Sequence, residues 1–288
     1  MVATTKIKSV AKDILLAPIY LYQGRKVKRD TLRLPEPEGI RCGRVMLNAA
    51  LNSHNDNQQT LSLMIVGDSA AAGVGSQTQQ EALAGKLIPA LQQQALANKA
   101  FGQEFDELSW SVQATTGHTS FDILRRLYIL AKPSQPLDVM VLSAGVNDTT
   151  ANVSTAAWQQ QLESIIAIAQ RKFGVKHLVF TRLPQMAQMP ALPAPLSHFI
   201  GAKATKLDEI LQQVCADHNG VTYMSTDFAR MLDEHANGNP IDISVMFADD
   251  GFHPSSLMYG YWAQQLAELI VELLDISIDY TPTTKTII

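Results

Sequence analysis

The sequence predicts an α/β protein built on an open, five-stranded parallel sheet with helices on both faces. Three observations carry this reading. Five short runs, 61–66, 108–114, 139–143, 177–181 and 221–225, are apolar and rich in Val, Ile, Leu and Phe, as strands buried on both faces are. Helix-like stretches alternate with them, at 79–97, 120–130, 156–172 and 202–217, with a last one near 257–274. Such alternation implies right-handed crossovers, and it directs function to the carboxyl ends of the strands. The third observation is scale: 288 residues, 46% hydrophobic and only 17% charged, are ample for a core and exclude a disordered chain.

The chain opens on a basic arm. Residues 1–33 hold eight Lys or Arg (Lys6, Lys8, Lys12, Arg25, Lys26, Lys28, Arg29, Arg33) against Asp13 and Asp30, a net +6. The formal charge of the whole is −4, so the remainder carries −10, which argues against a protein that grips nucleic-acid phosphates. The apolar run 14–22 contains Pro18 and is nine residues long, whereas a membrane-spanning helix needs about 20. It follows Asp13 and leads into Gln23-Gly24-Arg25-Lys26 without a small-residue cleavage site, so the arm reads as retained. Ile7, Val10, Ala11, Ile14 and Leu15 recur at helical spacing with lysines between them, which suits a helix lying on an anionic membrane surface. Packing on the protein's own body is the plainer alternative. The expected location is the cytoplasm, with peripheral contact at the inner membrane surface. Leu34-Pro35-Glu36-Pro37-Glu38-Gly39 then breaks the chain, giving an expected arm over 1–40 and one domain over 41–288. Cys42 and Cys215 are too few for a disulfide framework or a thiolate zinc site.

The first strand runs into Gly67-Asp68-Ser69-Ala70-Ala71-Ala72-Gly73. A serine here sits at the sheet edge near a helix N-terminus, where amide groups and the helix dipole favour a developing anion. Gly67 allows a sharp turn, and Gly73 removes bulk beside the serine. Equally, Asp68 or Ser69 can simply cap a helix. A dinucleotide site fails on spacing, because the third small residue after Gly73-Val74-Gly75 is Thr78 and the second strand ends in Ala114-Thr115 without a ribose-binding acid.

A serine nucleophile needs a base. Of the seven histidines (His54, His118, His177, His198, His218, His235, His253), only His253 has an acid at turn spacing in a loop-like segment, Asp250-Gly251-Phe252-His253-Pro254. Asp250 can accept from the imidazole Nδ1–H, fix its tautomer and stabilise the imidazolium, while Pro254 suits the first turn of the last helix. Taken apart, the two are also an ordinary turn residue and a helix-start residue. The loops after the second and third strands offer donors. In Thr116-Gly117-His118-Thr119-Ser120 the backbone of Gly117 can approach a reacting carbonyl, or it can merely enter a helix capped by Thr119 or Ser120. In Gly145-Val146-Asn147-Asp148 the Asn147 amide can donate into a site, or it can form an Asx turn.

In order along the chain, Gly67-Asp68-Ser69, Gly117, Gly145-Val146-Asn147-Asp148 and Asp250-Gly251-Phe252-His253 resemble the motif series of the SGNH (GDSL) hydrolases, over residues 60–272. Ala70 departs from the leucine usual in the family's name motif. The resemblance implies a flavodoxin-like three-layer α/β/α sandwich and metal-free ester hydrolysis through a covalent acyl-serine, with no cofactor. It makes Ser69, His253 and Asp250 the catalytic triad. The oxyanion hole would be the backbone N–H groups of Ser69 and Gly117 with the side-chain amide of Asn147, and Asp148 would hold the Asn147 loop.

Substrate is read from residues 183–200, which follow the fourth strand and contain four prolines. With Met186, Met189, Leu192, Leu196 and Phe199 this segment can wall an acyl chain, or it can pack on the body; His198 in it reads as a surface residue. Arg125 and Arg126 read as a solvated helix face, and Trp110, Trp158 and Trp262 as packing residues. The expected function is a serine carboxylic-ester hydrolase of carboxylesterase or lysophospholipase type, acting on short-to-medium acyl esters. The alternatives are an acetyl esterase or acyltransferase on acylated glycans, and a non-catalytic binding module on the same fold.

Overall fold

The computed structural model describes residues 2–47, 59–225 and 242–275, with side chains from residue 13 to residue 274 within these ranges. His54, His235 and the side chains of Ile7, Val10 and Ala11 lie outside them. The chain runs α1 (Val2–Asp30), β1 (Cys42–Met46), β2 (Gln59–Gly67), α2 (Ser69–Ala72), α3 (Leu83–Ala97), α4 (Lys99–Glu104), β3 (Phe105–Ala114), α5 (Ser120–Ile129), β4 (Val139–Ser143), α6 (Val146–Thr150), α7 (Thr155–Lys172), β5 (His177–Thr181), α8 (Leu196–Ala216), β6 (Val221–Met224) and α9 (Ser256–Asp275).

Among the described residues six strands form one sheet in the order β1-β3-β2-β4-β5-β6. Strands β2 to β6 are parallel, as expected. The sixth, β1, is an addition: it lies antiparallel on β3, with Cys42 opposite Ser111 and Met46 opposite Glu107. An edge strand that is mostly exposed needs no apolar run, and Cys-Gly-Arg-Val-Met has none.

Period-two alternation splits each central strand between two cores. Val139 and Val141 of β4 join Leu83, Leu87 and Leu91 of α3 and Leu266 and Ile270 of α9 on one face. Met140 and Leu142 join Ile123 and Leu127 of α5, Trp158 and Leu162 of α7 and Leu211 of α8 on the other. Truncating any of these to Ala removes about 2–5 kcal/mol, because the close-packed surroundings cannot fully collapse.

Helix starts are set by local chemistry. Thr119 and Asp122 form a reciprocal capping box on α5, and Ser154 caps α7. Helix α3 begins at Leu83 rather than at Gln79, because Gln79 is buried and its amide donates to the Pro37 and Ala72 carbonyls. The Pro-rich segment expected to be a break is therefore packed into the body, with Pro37 buried. Helix α8 begins at Leu196 rather than at residue 202, so much of the expected loop is a short 3-10 turn (Met186–Gln188) followed by helix. No described helix is long and apolar enough to cross a membrane. Instead α1 lies on α8: the Tyr20 ring stacks on Phe199 with centroids 4.5 Å apart, Gln23 Nε2 donates to the Ala194 carbonyl at 2.8 Å, and the Leu196 amide donates to Gln23 Oε1 at 3.1 Å.

Candidate active site

The carboxyl ends of β2, β3 and β4 and the loop before α9 converge on Ser69. Asp68, in extended conformation, caps α2 by accepting from the Ala70 amide at 3.1 Å, which makes Ser69 the first residue of that helix. Capping and presentation of the serine are thus divided between neighbours. Ser69 Oγ is 2.8 Å from His253 Nε2, and His253 Nδ1 is 2.5 Å from Asp250 Oδ2. The other Asp250 oxygen accepts from the amides of Phe252 at 2.9 Å and His253 at 3.0 Å. Burial pushes the Asp250 carboxyl up, but the bonds from His253 and Phe252 outweigh it and hold the group below the ordinary carboxylate range. An ionised carboxylate only accepts, so Nδ1 carries the imidazole proton and Nε2 is left to accept from Ser69 Oγ. Pro254 precedes α9 rather than entering its first turn, and pairs with Phe247 in an isolated bridge.

Gly117, Asn147 and Ser69 line one cavity. Gly117 has φ +83°, a conformation that a side chain would strain, and apart from its chain neighbours no atom lies within 4 Å of where a Cβ would stand. Asn147 Nδ2 donates to the His118 carbonyl at 3.0 Å. That bond uses one of its two N–H groups and ties the β4 loop to the β3 loop. Asn147 does not cap α6; Gly145 occupies that position and its carbonyl accepts from Thr149 Oγ1 at 2.8 Å. Asp148 is buried and accepts from the Ser120 amide at 3.0 Å and from Ser120 Oγ at 2.5 Å, clamping the start of α5 to the same loop. Burial raises its carboxyl above the usual value.

The cavity holds about 1020 Å³. Met186, Met189, Leu192 and Leu196 line it, as expected of the segment after β5, and so does Trp262. Phe199 does not; its ring is turned away onto Tyr20. The room that Gly73 leaves is taken by Ala82, not by Ser69: Gly73 ends α2 in the left-handed region, its amide donates to the Ser69 and Ala70 carbonyls, and a Cβ would lie 2.4 Å from the Ala82 methyl. Arg125 sits on the exposed face of α5, whereas Arg126 folds inward to donate to Thr115 Oγ1.

Residues 65–261 match the GDSL-like lipase/acylhydrolase family. The chain belongs to that family. Solved structures share the fold of this GDSL-like hydrolase at low identity. An α/β hydrolase from the metagenome of Lake Arreo, Spain, is 16% identical with a TM-score of 0.53, over 74% of this chain and 96% of that one. A lipase/acylhydrolase from Enterococcus faecalis is 18% identical with a TM-score of 0.50, over 73% and 95%. The acetylxylan esterase Axe2 from Geobacillus stearothermophilus is 14% identical with a TM-score of 0.50, over 74% and 95%. No curated protein matches the chain in sequence.

Three contributors to the GDSL-like hydrolase's site escape sequence reasoning. Glu36, from the Pro-rich segment, accepts the Thr116 amide at 2.6 Å and Arg41 at 2.8 Å. Burial pushes its carboxyl up, yet the bonds from Thr116 and Arg41 hold it below the ordinary range. Tyr259, buried in α9, sets its hydroxyl 3.0 Å from the Ala70 carbonyl and 2.8 Å from that of Val74, bracing the turn that carries Ser69. The end of α1 and the residues after it, Gly24, Val27, Thr31 and Leu34 among them, form one wall of the cavity.

Proposed function

We propose that the protein is a serine carboxylic-ester hydrolase acting through a covalent acyl-serine on short-to-medium acyl esters, lysophospholipids among them. The observation that carries this reading is the unbroken line Ser69, His253, Asp250, ending in a carboxylate that can only accept. His253 Nε2 takes the Ser69 proton as Oγ bonds to the ester carbonyl carbon, and Asp250 stabilises the imidazolium. Negative charge arising on the carbonyl oxygen meets the Ser69 and Gly117 amides and the free N–H of Asn147, donors whose bonds strengthen as charge develops. Collapse breaks the bond to the alkoxide, which leaves with the His253 proton. Water then gives its proton to His253 as it attacks the acyl carbon, and the acid departs as Ser69 regains its hydrogen.

The large methionine- and leucine-lined cavity supports an acyl chain in preference to an acetyl group, since flexible thioethers adapt to chains of differing length. Turnover of nitrophenyl esters of increasing acyl length, with Ser69→Ala as blank, tests the reading. The expected result is a rate maximum at short-to-medium chains, none in the blank, and labelling of Ser69 by a fluorophosphonate. Unlabelled protein, or equal rates in the blank, refutes it.

A further inference from the structure

We propose that the outer face of α1 docks the protein on an anionic bilayer and sets the mouth of the cavity against the lipid surface. The ester-hydrolase reading enters only in saying what the docking is for.

The helix has two faces at helical spacing. Leu16, Tyr20, Gln23 and Val27 are half-buried and turned to the body. On the opposite face Ile14 is 70% exposed, Leu15 79%, Leu21 62% and Tyr22 69%. Four large apolar side chains on two turns of one helix, uncovered by any described residue, form a concentrated patch rather than scattered surface residues. The same face continues into Arg25, Lys26 and Arg29, all exposed. Apolar side chains followed by a basic cluster are what a helix lying in the headgroup layer presents.

Charge chooses the occupant. The arm is +6 and the remainder −10, so an anionic surface attracts this face while repelling the body, and the molecule is oriented as well as held. A second copy seated across the same face would bring two basic clusters together. The inner face completes the argument, because Gly24, Val27, Thr31 and the 55% exposed Leu32 line the cavity. One helix thus separates bilayer from catalytic cavity, and an amphiphile leaving the surface has a short apolar route to Ser69.

The test is co-sedimentation of the full chain with vesicles of phosphatidylcholine, alone or mixed with phosphatidylglycerol. Binding to the mixed vesicles is expected, falling as salt rises. Leu15→Asp/Leu21→Asp and Arg25→Glu/Lys26→Glu should each weaken it by about tenfold or more. Neither pair touches the cavity, so both variants should keep wild-type turnover of a soluble nitrophenyl ester, which also shows that they fold. Absence of binding, equal binding by wild type and variants, or a dimer in size-exclusion chromatography that Leu15→Asp/Leu21→Asp dissolves would each overturn the inference. Vesicle binding without ester turnover by the wild type would instead refute the catalytic reading and leave the docking in place.

Discussion

The Glu36 carboxylate joins two distant parts of the chain: one oxygen accepts the Thr116 amide at 2.6 Å, next to Gly117, while the other accepts Arg41 at 2.8 Å. The loop that presents the Gly117 amide is thereby fixed from outside the sheet. Glu36→Ala removes a charge-assisted bond worth about 1.5–3 kcal/mol and leaves the Thr116 amide without its acceptor. If half of that loss falls on the transition state, kcat drops roughly tenfold, since about 1.4 kcal/mol is a factor of ten. KM should change little, and Glu36→Gln, which still offers an acceptor, should recover part of the rate. Steady-state kinetics on a nitrophenyl ester check this.

Asp250→Asn should be far more damaging. The amide cannot fix the Nδ1 proton as an anion does, so His253 is free to adopt the tautomer that cannot accept from Ser69. By analogy with serine proteases, kcat should fall about 10⁴-fold. A melting temperature close to wild type would show that the loss is chemical.

Asn147→Ala separates an oxyanion donor from a loop tie. Loss of a side-chain donor to the oxyanion costs about 10²–10³ in kcat, or roughly 3–4 kcal/mol, with KM much less affected. The bond to the His118 carbonyl at 3.0 Å is lost as well. If that tie were the residue's whole role, the variant would melt earlier and retain near-normal kcat, so both quantities must be measured.

Tyr259→Phe keeps the ring in the core and deletes only the hydroxyl that braces the Ala70 and Val74 carbonyls. The Ala70 carbonyl keeps the Gly73 amide, whereas the Val74 carbonyl is left without its donor, at a cost of about 1–3 kcal/mol. Urea denaturation should show that loss, and kcat should fall by less than tenfold because Ser69 is loosened rather than removed.

Asp68 gives stability a pH dependence of unusual sign. Burial lifts its carboxyl to about 6 in the folded protein. An unfolded aspartate titrates near 4, so between about pH 4 and 6 the native state holds a proton that the unfolded state has released, and stability falls as pH rises. At about 1.4 kcal/mol per pKa unit the fall amounts to about 2–3 kcal/mol, complete above pH 6. Asp68→Asn, which still offers an oxygen to the Ala70 amide, should remove this share and leave the same-signed contribution of Asp148, whose carboxyl burial also raises. Denaturation curves of both proteins from pH 4 to 7 decide this.

What the sequence reveals depends on the range of the interactions. Strands β4 and β5 begin and end where their apolar runs do, because a strand covered on both faces must be apolar throughout. Asp250 and His253 are legible for a similar reason: three residues apart, they meet within one turn. β1 is hidden because an exposed edge tolerates Gly43 and Arg44. The early start of α8 is hidden by Pro193 and Pro195, which read as loop although Pro195 stands at the helix's N-terminal cap. Glu36 and Tyr259 leave no local trace at all. Their partners lie 80 and 189 residues away, so only the fold reveals what they hold.

One wall of the cavity is written outside the stretch of chain that holds the proposed catalytic residues. Ser69, Gly117, Asn147, Asp250 and His253 all fall inside residues 65–261, the span shared with the family, whereas the wall formed by Gly24, Val27, Thr31 and Leu34 lies wholly ahead of it. The first helix is attached through side-chain contacts such as Gln23 with Ala194 and Tyr20 with Phe199, not through a strand of the sheet. It is therefore an exchangeable cassette. A chimera in which another amphipathic helix replaces residues 2–34, with Tyr20 and Gln23 retained, would redraw the range of accepted esters while the hydrolytic apparatus stayed as it is.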